Sequence, residues 1–261
     1  LAGVRRGWSI AGMIDIQSLF SLEGRVALVT GASGGLGAHF ARVLHGAGAR
    51  IVLAARRIDA LAALAGELGG RAATVPLNVT EGEAVAQAFI AAEAAFGAPC
   101  DIIVNNAGIA VTKPVLQQSE ADWDSVLDVN LRGCFLVAAE GARRLVAAKT
   151  PGSIINIASI GGLRILSGVA GYTASKAGLV QLTKQLAVEL ARHDIRVNAL
   201  CPGYIETPIN REFFASEAGQ AVIRRVPQRR LGQPGDLSGA LLLLASAAGA
   251  HMTGATLVVD G

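Results

Sequence analysis

RVALVTGASGGLG, residues 25–37, changes character twice within a short span. Val26 to Val29 is an apolar run suited to a buried strand. Four glycines follow, of which Gly31, Gly35 and Gly37 are spaced G-x-x-x-G-x-G, and an Ala-rich amphipathic stretch runs on to Gly46. The pattern predicts a strand, a tight turn and a helix over 35–46. Glycines in such a turn let the backbone come close to a pyrophosphate. The helix start behind them offers unpaired N–H groups and the positive end of its dipole. A tight turn alone would also use glycine, and the spacing is not G-x-G-x-x-G. What points to a dinucleotide is the position, directly after the first strand of a series.

Beyond this unit the chain repeats the alternation. RIVLAA (50–55) precedes a helix expected over 59–68, AATVPLNV (72–79) one over 81–96, and DIIVNNAG (101–108) a long helix from about Ser119. GSIINIAS (152–159), IRVNALCPG (195–203) and ATLVVDG (255–261) complete the series. Seven β-runs, nearly all apolar on both faces and separated by helices, call for a parallel sheet covered on both sides. The expected fold is a single doubly wound α/β domain of Rossmann type over 22–261, with a seven-stranded parallel sheet. Residues 1–21 read as an N-terminal extension. Residues 203–234 are too long for an ordinary connection and read as a lid with its own helix.

Composition narrows the function classes. With 52% hydrophobic and 16% charged residues, 261 residues can bury a large core. The net charge of +3 is scattered, not gathered in basic runs, so no nucleic-acid partner is expected. Cys100, Cys134 and Cys201 are odd in number and far apart, which suits buried thiols in a reducing, cytoplasmic setting. The four histidines show no metal-ligand spacing, so no metal is expected. GALLLLASAAGAHMTGATLVV (239–259) is about long enough to span a bilayer, but GAHMTG breaks it into a helix and a strand. No membrane association is expected.

The dinucleotide pattern calls for an acid about 20 residues after the glycines, to grip the ribose hydroxyl. Here the second strand ends in LAARR, with Ala55 at that place and Arg56-Arg57 behind it. No carboxylate repels a 2′-phosphate there, and a guanidinium can pair with one bidentately. This favours NADP, held by Arg56, while leaving NAD possible. YTASK, residues 172–176, puts one of two tyrosines four residues before a lysine. On a helix the two share a face. The lysine then sets a positive charge where a phenolate would form, as a proton-donating tyrosine needs.

With TGASGGLG, NNAG, VNL, NIAS, YTASK and CPG in one order, the chain resembles the short-chain dehydrogenase/reductase family from about Leu22 to its end. The resemblance implies catalytic roles for Asn130, Ser159, Tyr172 and Lys176. Tyr172 would be the general acid/base, Ser159 would hydrogen-bond the substrate oxygen, and Asn130 would hold a water linking Lys176 to solvent. For the cofactor it implies Gly31, Ser33, Gly35, Leu36, Gly37, Arg56, Asn78, Val79, Asn105, Ala107 and Gly108. Tyr172, Lys176, Pro202, Gly203, Ile205 and Thr207 complete that set. Asn78 stands where the family usually has an aspartate that accepts from the adenine amino group. Its carbonyl oxygen is expected to accept in its place.

A mostly apolar set, Ile109, Val111, Ile160, Leu163, Leu166, Tyr204 and Phe213, is expected to line the substrate pocket. This favours a small-molecule carbonyl or alcohol of hydrophobic character. RRLGQPGDL and TGATLVVDG resemble the 3-oxoacyl-thioester reductases of the family, with sugar or polyol dehydrogenases as the alternative. Val188 stands where such reductases tend to place an arginine that docks an acidic carrier. A catalytically silent NADP-binding regulator would be expected to carry a damaged Tyr–Lys pair, and here the pair is intact. The resemblance also implies a homotetramer built on the helices around 119–148 and 171–192.

Overall fold

The computed structural model describes residues 15–208 and 210–261. The sheet has seven strands: β1 (Val26–Thr30), β2 (Arg50–Ala55), β3 (Ala72–Pro76), β4 (Ile102–Asn105), β5 (Gly152–Ile157), β6 (Ile195–Pro202) and β7 (Thr256–Val259). All neighbours are parallel, in the order β3-β2-β1-β4-β5-β6-β7. The chain moves outward from β1 to β3 and then returns to lay β4 on the other side of β1. The crevice at that reversal, beyond the carboxyl ends of the strands, is where open α/β sheets bind ligands.

The central strands β1, β4 and β5 are buried along their whole length. Two hydrophobic layers flank them. On one face α2 (Gly35–Gly46), α3 (Ile58–Leu68) and α10 (Ser238–Ala245) bring Phe40, Leu44, Leu61 and Leu241 onto Val29, Ile51 and Val104. On the other, α4 (Gly82–Phe96), α6 (Gly133–Ala147) and α7 (Ala170–Leu190) bring Phe89, Val137, Leu145 and Leu186 onto Leu28, Ile103 and Ile154. Each such large side chain, fully buried, contributes about 1.5–3 kcal/mol. The aliphatic composition is therefore what covers both faces of the sheet.

The helix expected from Ser119 begins on time and does not run straight. Ser119 accepts from the Asp122 amide, and Asp122 reaches back to the Ser119 amide, a capping box that starts α5 (Glu120–Leu127). A π-helical turn over Asp128–Arg132 then inserts before α6. Gly133 follows it against Val79, where a Cβ would stand 2.7 Å from the valine Cγ2. Such a bulge rotates the residues it contains relative to a straight helix.

Ahead of β1 a short helix, α1 (Ile16–Phe20), is capped by Asp15. The expectation for residues 1–14 lies outside the described residues. The segment 203–234 carries α8 (Arg211–Ala215) and α9 (Glu217–Ile223), and an isolated bridge between Ile205 and Gly232 closes its base. The stretch 239–259 is a short helix ending at Ala245 and then a strand from Thr256, with GAHMTG between them. Among the described residues no helix is long and apolar enough to cross a membrane.

Candidate active site

The glycine turn is built from close approaches. Gly31 and Gly35 have φ of +67° and +53°, a region glycine enters without strain. A Cβ on Gly31 would stand 2.9 Å from Ala107 Cα, and one on Gly37 would run into the Gly31 carbonyl and stand 2.6 Å from Asn106 Nδ2. Thr30 Oγ1 accepts from the amides of Asn106 and Ala107, both at 3.0 Å, and Asn106 Nδ2 donates to Thr30 O at 2.9 Å. The turns after β1 and β4 are thus latched together. Thr30 and Asn106 were not singled out by the motifs, although both stand inside them. A groove of about 480 Å³ runs along this turn and joins Ser33, Gly34 and Gly35 to Thr207 and Pro208 of the lid segment. Leu36 is half-buried at the start of α2.

Of the two arginines after β2, Arg57 is the one that turns toward the glycine turn. Its Nη2 donates to Ser33 Oγ at 3.0 Å and to Ser33 O at 3.2 Å. Arg56 is exposed beside it. The reading from sequence centred on Arg56, because only the folded chain shows which guanidinium reaches the loop. Asn78 also differs from expectation. Its Oδ1 already accepts from the Thr80 amide and hydroxyl, and its Nδ2 donates to Glu81 Oε1 at 2.6 Å. The oxygen expected to serve an adenine amino group is occupied within its own turn, so such a group would have to displace Thr80. Val79, nearly buried, packs on Gly133.

Asn105 turns inward. Its Nδ2 donates to Cys134 O and to Asn156 Oδ1, and Asn156 passes a bond on to Thr183 of α7. This side chain ties β4 to β5 and α7 and is buried, while in the loop after β4 Ala107 is half-buried and Gly108 exposed. A Cβ on Gly108 would stand 3.3 Å from Asn130 Oδ1 and 3.5 Å from Lys176 Nζ. On the lid side, Gly203 bonds Val259, Thr207 donates to Asn210 Oδ1, and Asn210 Nδ2 holds Ile205 O. Pro202, Gly203, Ile205 and Thr207 therefore form one pinned corner.

The catalytic candidates converge from three elements. Tyr172 and Lys176 stand one turn apart on α7, with the Lys176 Nζ 5.7 Å from the Tyr172 ring centroid. Lys176 is only 4% exposed, donates to Ile157 O at 2.8 Å, and pairs with no carboxylate among the described residues. Ser159, at the end of β5, accepts from the Gly161 amide at 3.0 Å. That bond uses a lone pair and leaves the hydroxyl proton to be given elsewhere. The loop seats on α7 through Gly162, where a Cβ would stand 2.7 Å from Lys176 C and O. Asn130 lies in the π turn, fully buried. Its Oδ1 receives the Ile109 amide, and its Nδ2 donates to Ile109 O and Ser175 Oγ. Both amide hydrogens are spent, so a water expected here would have to donate, to the second lone pair of Oδ1 or to the Asn130 backbone carbonyl. Ser175 was not picked out by the motif reading.

The residues expected to line the pocket are mostly apolar. Ile160 is buried, Leu163 and Phe213 are about half exposed, and Phe214 stacks edge-on to both Tyr204 and Phe213. Lys113 and Arg164, in the loops after β4 and β5, are each paired, with Asp122 and Asp260 respectively. Burial pushes the Cys134 thiol up to about 11 and Cys201 in the same direction, so neither offers a thiolate to the site. The arrangement can present a hydroxyl proton and a second hydrogen-bond donor to one oxygen, beside a buried cation. Glycine turns at the switch point fit an extended dinucleotide.

Comparisons with known proteins agree. A family model described as Enoyl-(Acyl carrier protein) reductase matches residues 31–261. The 3beta-hydroxysteroid dehydrogenase 1 of Eggerthella lenta is 42% identical over 92% of this chain and 94% of its own. The 3-oxoacyl-[acyl-carrier-protein] reductase of Thermotoga maritima is 35% identical, over 92% and 98%. The crystal structure of a gluconate 5-dehydrogenase from Burkholderia cenocepacia, in complex with NADP and tartrate, superimposes with a TM-score of 0.89 at 38% identity, over 94% and 97%.

Proposed function

Because the chain belongs to the short-chain dehydrogenase/reductase family, and so is an oxidoreductase acting on alcohol or ketone groups with NAD(P), we propose that it reduces a 3-oxoacyl thioester or other hydrophobic ketone with NADPH. The observation that carries the reading is the convergence of Tyr172, Ser159 and the buried Lys176, with mostly apolar residues expected to line the pocket. When bound, the dinucleotide supplies the hydride that turns a carbonyl carbon into an alcohol carbon. Tyr172 holds the proton the oxygen then needs. Ser159, its lone pair engaged by Gly161, donates to the same oxygen and steadies the developing charge. Lys176 sits where it offsets the phenolate left behind, in surroundings that exclude water and so strengthen the interaction. Gly31, Gly37, Ala107 and Gly108 leave room for the cofactor backbone.

The preference for NADPH is supported by the absence of an acid at Ala55 and by Arg56 and Arg57 behind it. The gluconate 5-dehydrogenase likeness supports a second reading, oxidation of a sugar or polyol. Against a sugar acid, two cations in the loops after β4 and β5, Lys113 and Arg164, are each engaged by a carboxylate, Asp122 and Asp260 respectively. A silent regulator has no use for the intact Tyr–Lys–Ser set. Trp123, Phe135 and Val188 expose apolar surface on α5, α6 and α7, which supports a homotetramer formed on those helices. The three buried thiols suit a reducing, cytoplasmic setting.

The test is NADPH consumption by the purified protein with acetoacetyl-CoA, beside NADH and Tyr172→Phe. Turnover with NADPH is expected, and the variant is expected to lose about 10²–10⁴ of it while binding NADPH within twofold of the wild type. A fully active Tyr172→Phe would sink the mechanism. Turnover of gluconate but not of acetoacetyl-CoA would select the sugar reading.

A further inference from the structure

Between Tyr172 and Lys176, Ser175 faces the interior and is fully buried. Its hydroxyl donates to the Tyr172 carbonyl at 2.7 Å, a backward bond that serines often make within helices. The same oxygen also accepts from Asn130 Nδ2 at 3.1 Å, which a local bond does not require. Asn130 in turn grips both backbone groups of one residue outside its helix, taking the Ile109 amide on Oδ1 and giving Nδ2 to Ile109 O, both at 2.8 Å. An unbroken path of hydrogen bonds thus runs from the loop after β4, through the π turn, to the carbonyl of Tyr172 itself.

We propose that Ser175 is a positioning residue that fixes the 106–109 loop against the turn of α7 carrying Tyr172 and Lys176. The proposal rests on the reading above, in which that loop floors the cofactor and Tyr172 gives the proton. Hydride and proton must reach adjacent atoms, and a misplacement of about 1 Å can cost about 10²-fold in rate. The loop and the helix belong to different β–α units. Backbone pairing within the sheet does not set their separation; the Asn130–Ser175 bond spans it. Without the Ser175 hydroxyl, one amide hydrogen of Asn130 has no partner, and the pair of bonds to Ile109 is left without its anchor on α7.

The test compares Ser175→Ala with Ser175→Thr, which keeps the hydroxyl, and Ser175→Cys, a weaker donor with no added methyl. In the full chain without cofactor, amide hydrogen exchange at Ile109 is expected to quicken at least tenfold in the alanine variant. With NADPH and acetoacetyl-CoA, kcat should fall about tenfold while KM for NADPH stays within twofold. Threonine should restore both values, and cysteine should fall between. Unchanged exchange would reduce Ser175 to a local back-bond and overturn the proposal. Faster exchange with unchanged kcat would overturn it too, as would a parallel collapse of kcat, NADPH binding and thermal midpoint. If the wild type does not turn over acetoacetyl-CoA, the substrate reading fails and exchange at Ile109 decides this proposal alone.

Discussion

Arg56 and Arg57 leave β2 side by side in different circumstances. Arg57 is held by two bonds to Ser33, over the glycine turn, and Arg56 stays in solvent. A guanidinium already oriented loses less freedom when it meets a phosphate. Hydrogen bonds to a charged group contribute about 1.5–3 kcal/mol. Arg57→Ala is therefore expected to raise KM for NADPH about 10- to 100-fold and to leave KM for NADH nearly unchanged; Arg56→Ala should do less. Steady-state kinetics with both cofactors check this, and a larger effect at Arg56 would return the assignment to the sequence reading. The places of Tyr172, Lys176, Ser159 and Asn130 could be expected because each lies in a short motif through which the chain resembles the family. The occupied oxygen of Asn78 and the inward turn of Asn105 could not, because competition for a side chain's hydrogen bonds is settled by neighbours distant in sequence.

At the scale of elements, the turn between β1 and α2 shows how little slack the site has. A methyl on Gly37 would meet the Gly31 carbonyl and Asn106 Nδ2, both backed by the latch through Thr30. Gly37→Ala is expected to spread the two turns, weakening NADPH binding at least tenfold and lowering the thermal midpoint. Fluorescence titration and a melting curve measure the two effects; retention of wild-type affinity would mean that the latch gives way easily. The helices themselves were readable from apolar periodicity, as at 35–46. The π turn was not, since one extra residue per turn over 128–132 leaves the apolar pattern of 119–148 almost unaltered. That same turn is what aims Asn130 at Ile109, so the feature hardest to read lies closest to the chemistry.

For the whole molecule, stability should vary with pH through two histidines of α2. His39 is held below its ordinary value by burial and then by Arg42, and His45 by burial and then by Arg71. Above about pH 6.5 both states carry these rings neutral and nothing changes. Below it the unfolded chain takes up protons that the folded chain resists, so stability falls with pH until the folded values are passed. Thermal midpoints across pH 5–8 should decline on the acid side, and His39→Gln should flatten that slope. An unaltered slope would assign the decline elsewhere. At this scale a seven-stranded parallel sheet covered on both faces was legible, because the seven runs are apolar on both faces; the order of its strands was not.

The return of β4 to the flank of β1 has a consequence for biosynthesis. Thr30 meets Val104, Asn106 and Ala107 across more than seventy residues of chain. As synthesis proceeds, β1, β2 and β3 can pair among themselves, but β1 keeps one bare edge until residue 102 has emerged. Distant pairings of this kind form slowly, and a naked strand edge invites other chains. The nascent protein is thus most vulnerable to misassociation during the stretch from β3 to β4, and a fragment ending in that stretch would carry the glycine turn without the partner that shapes it.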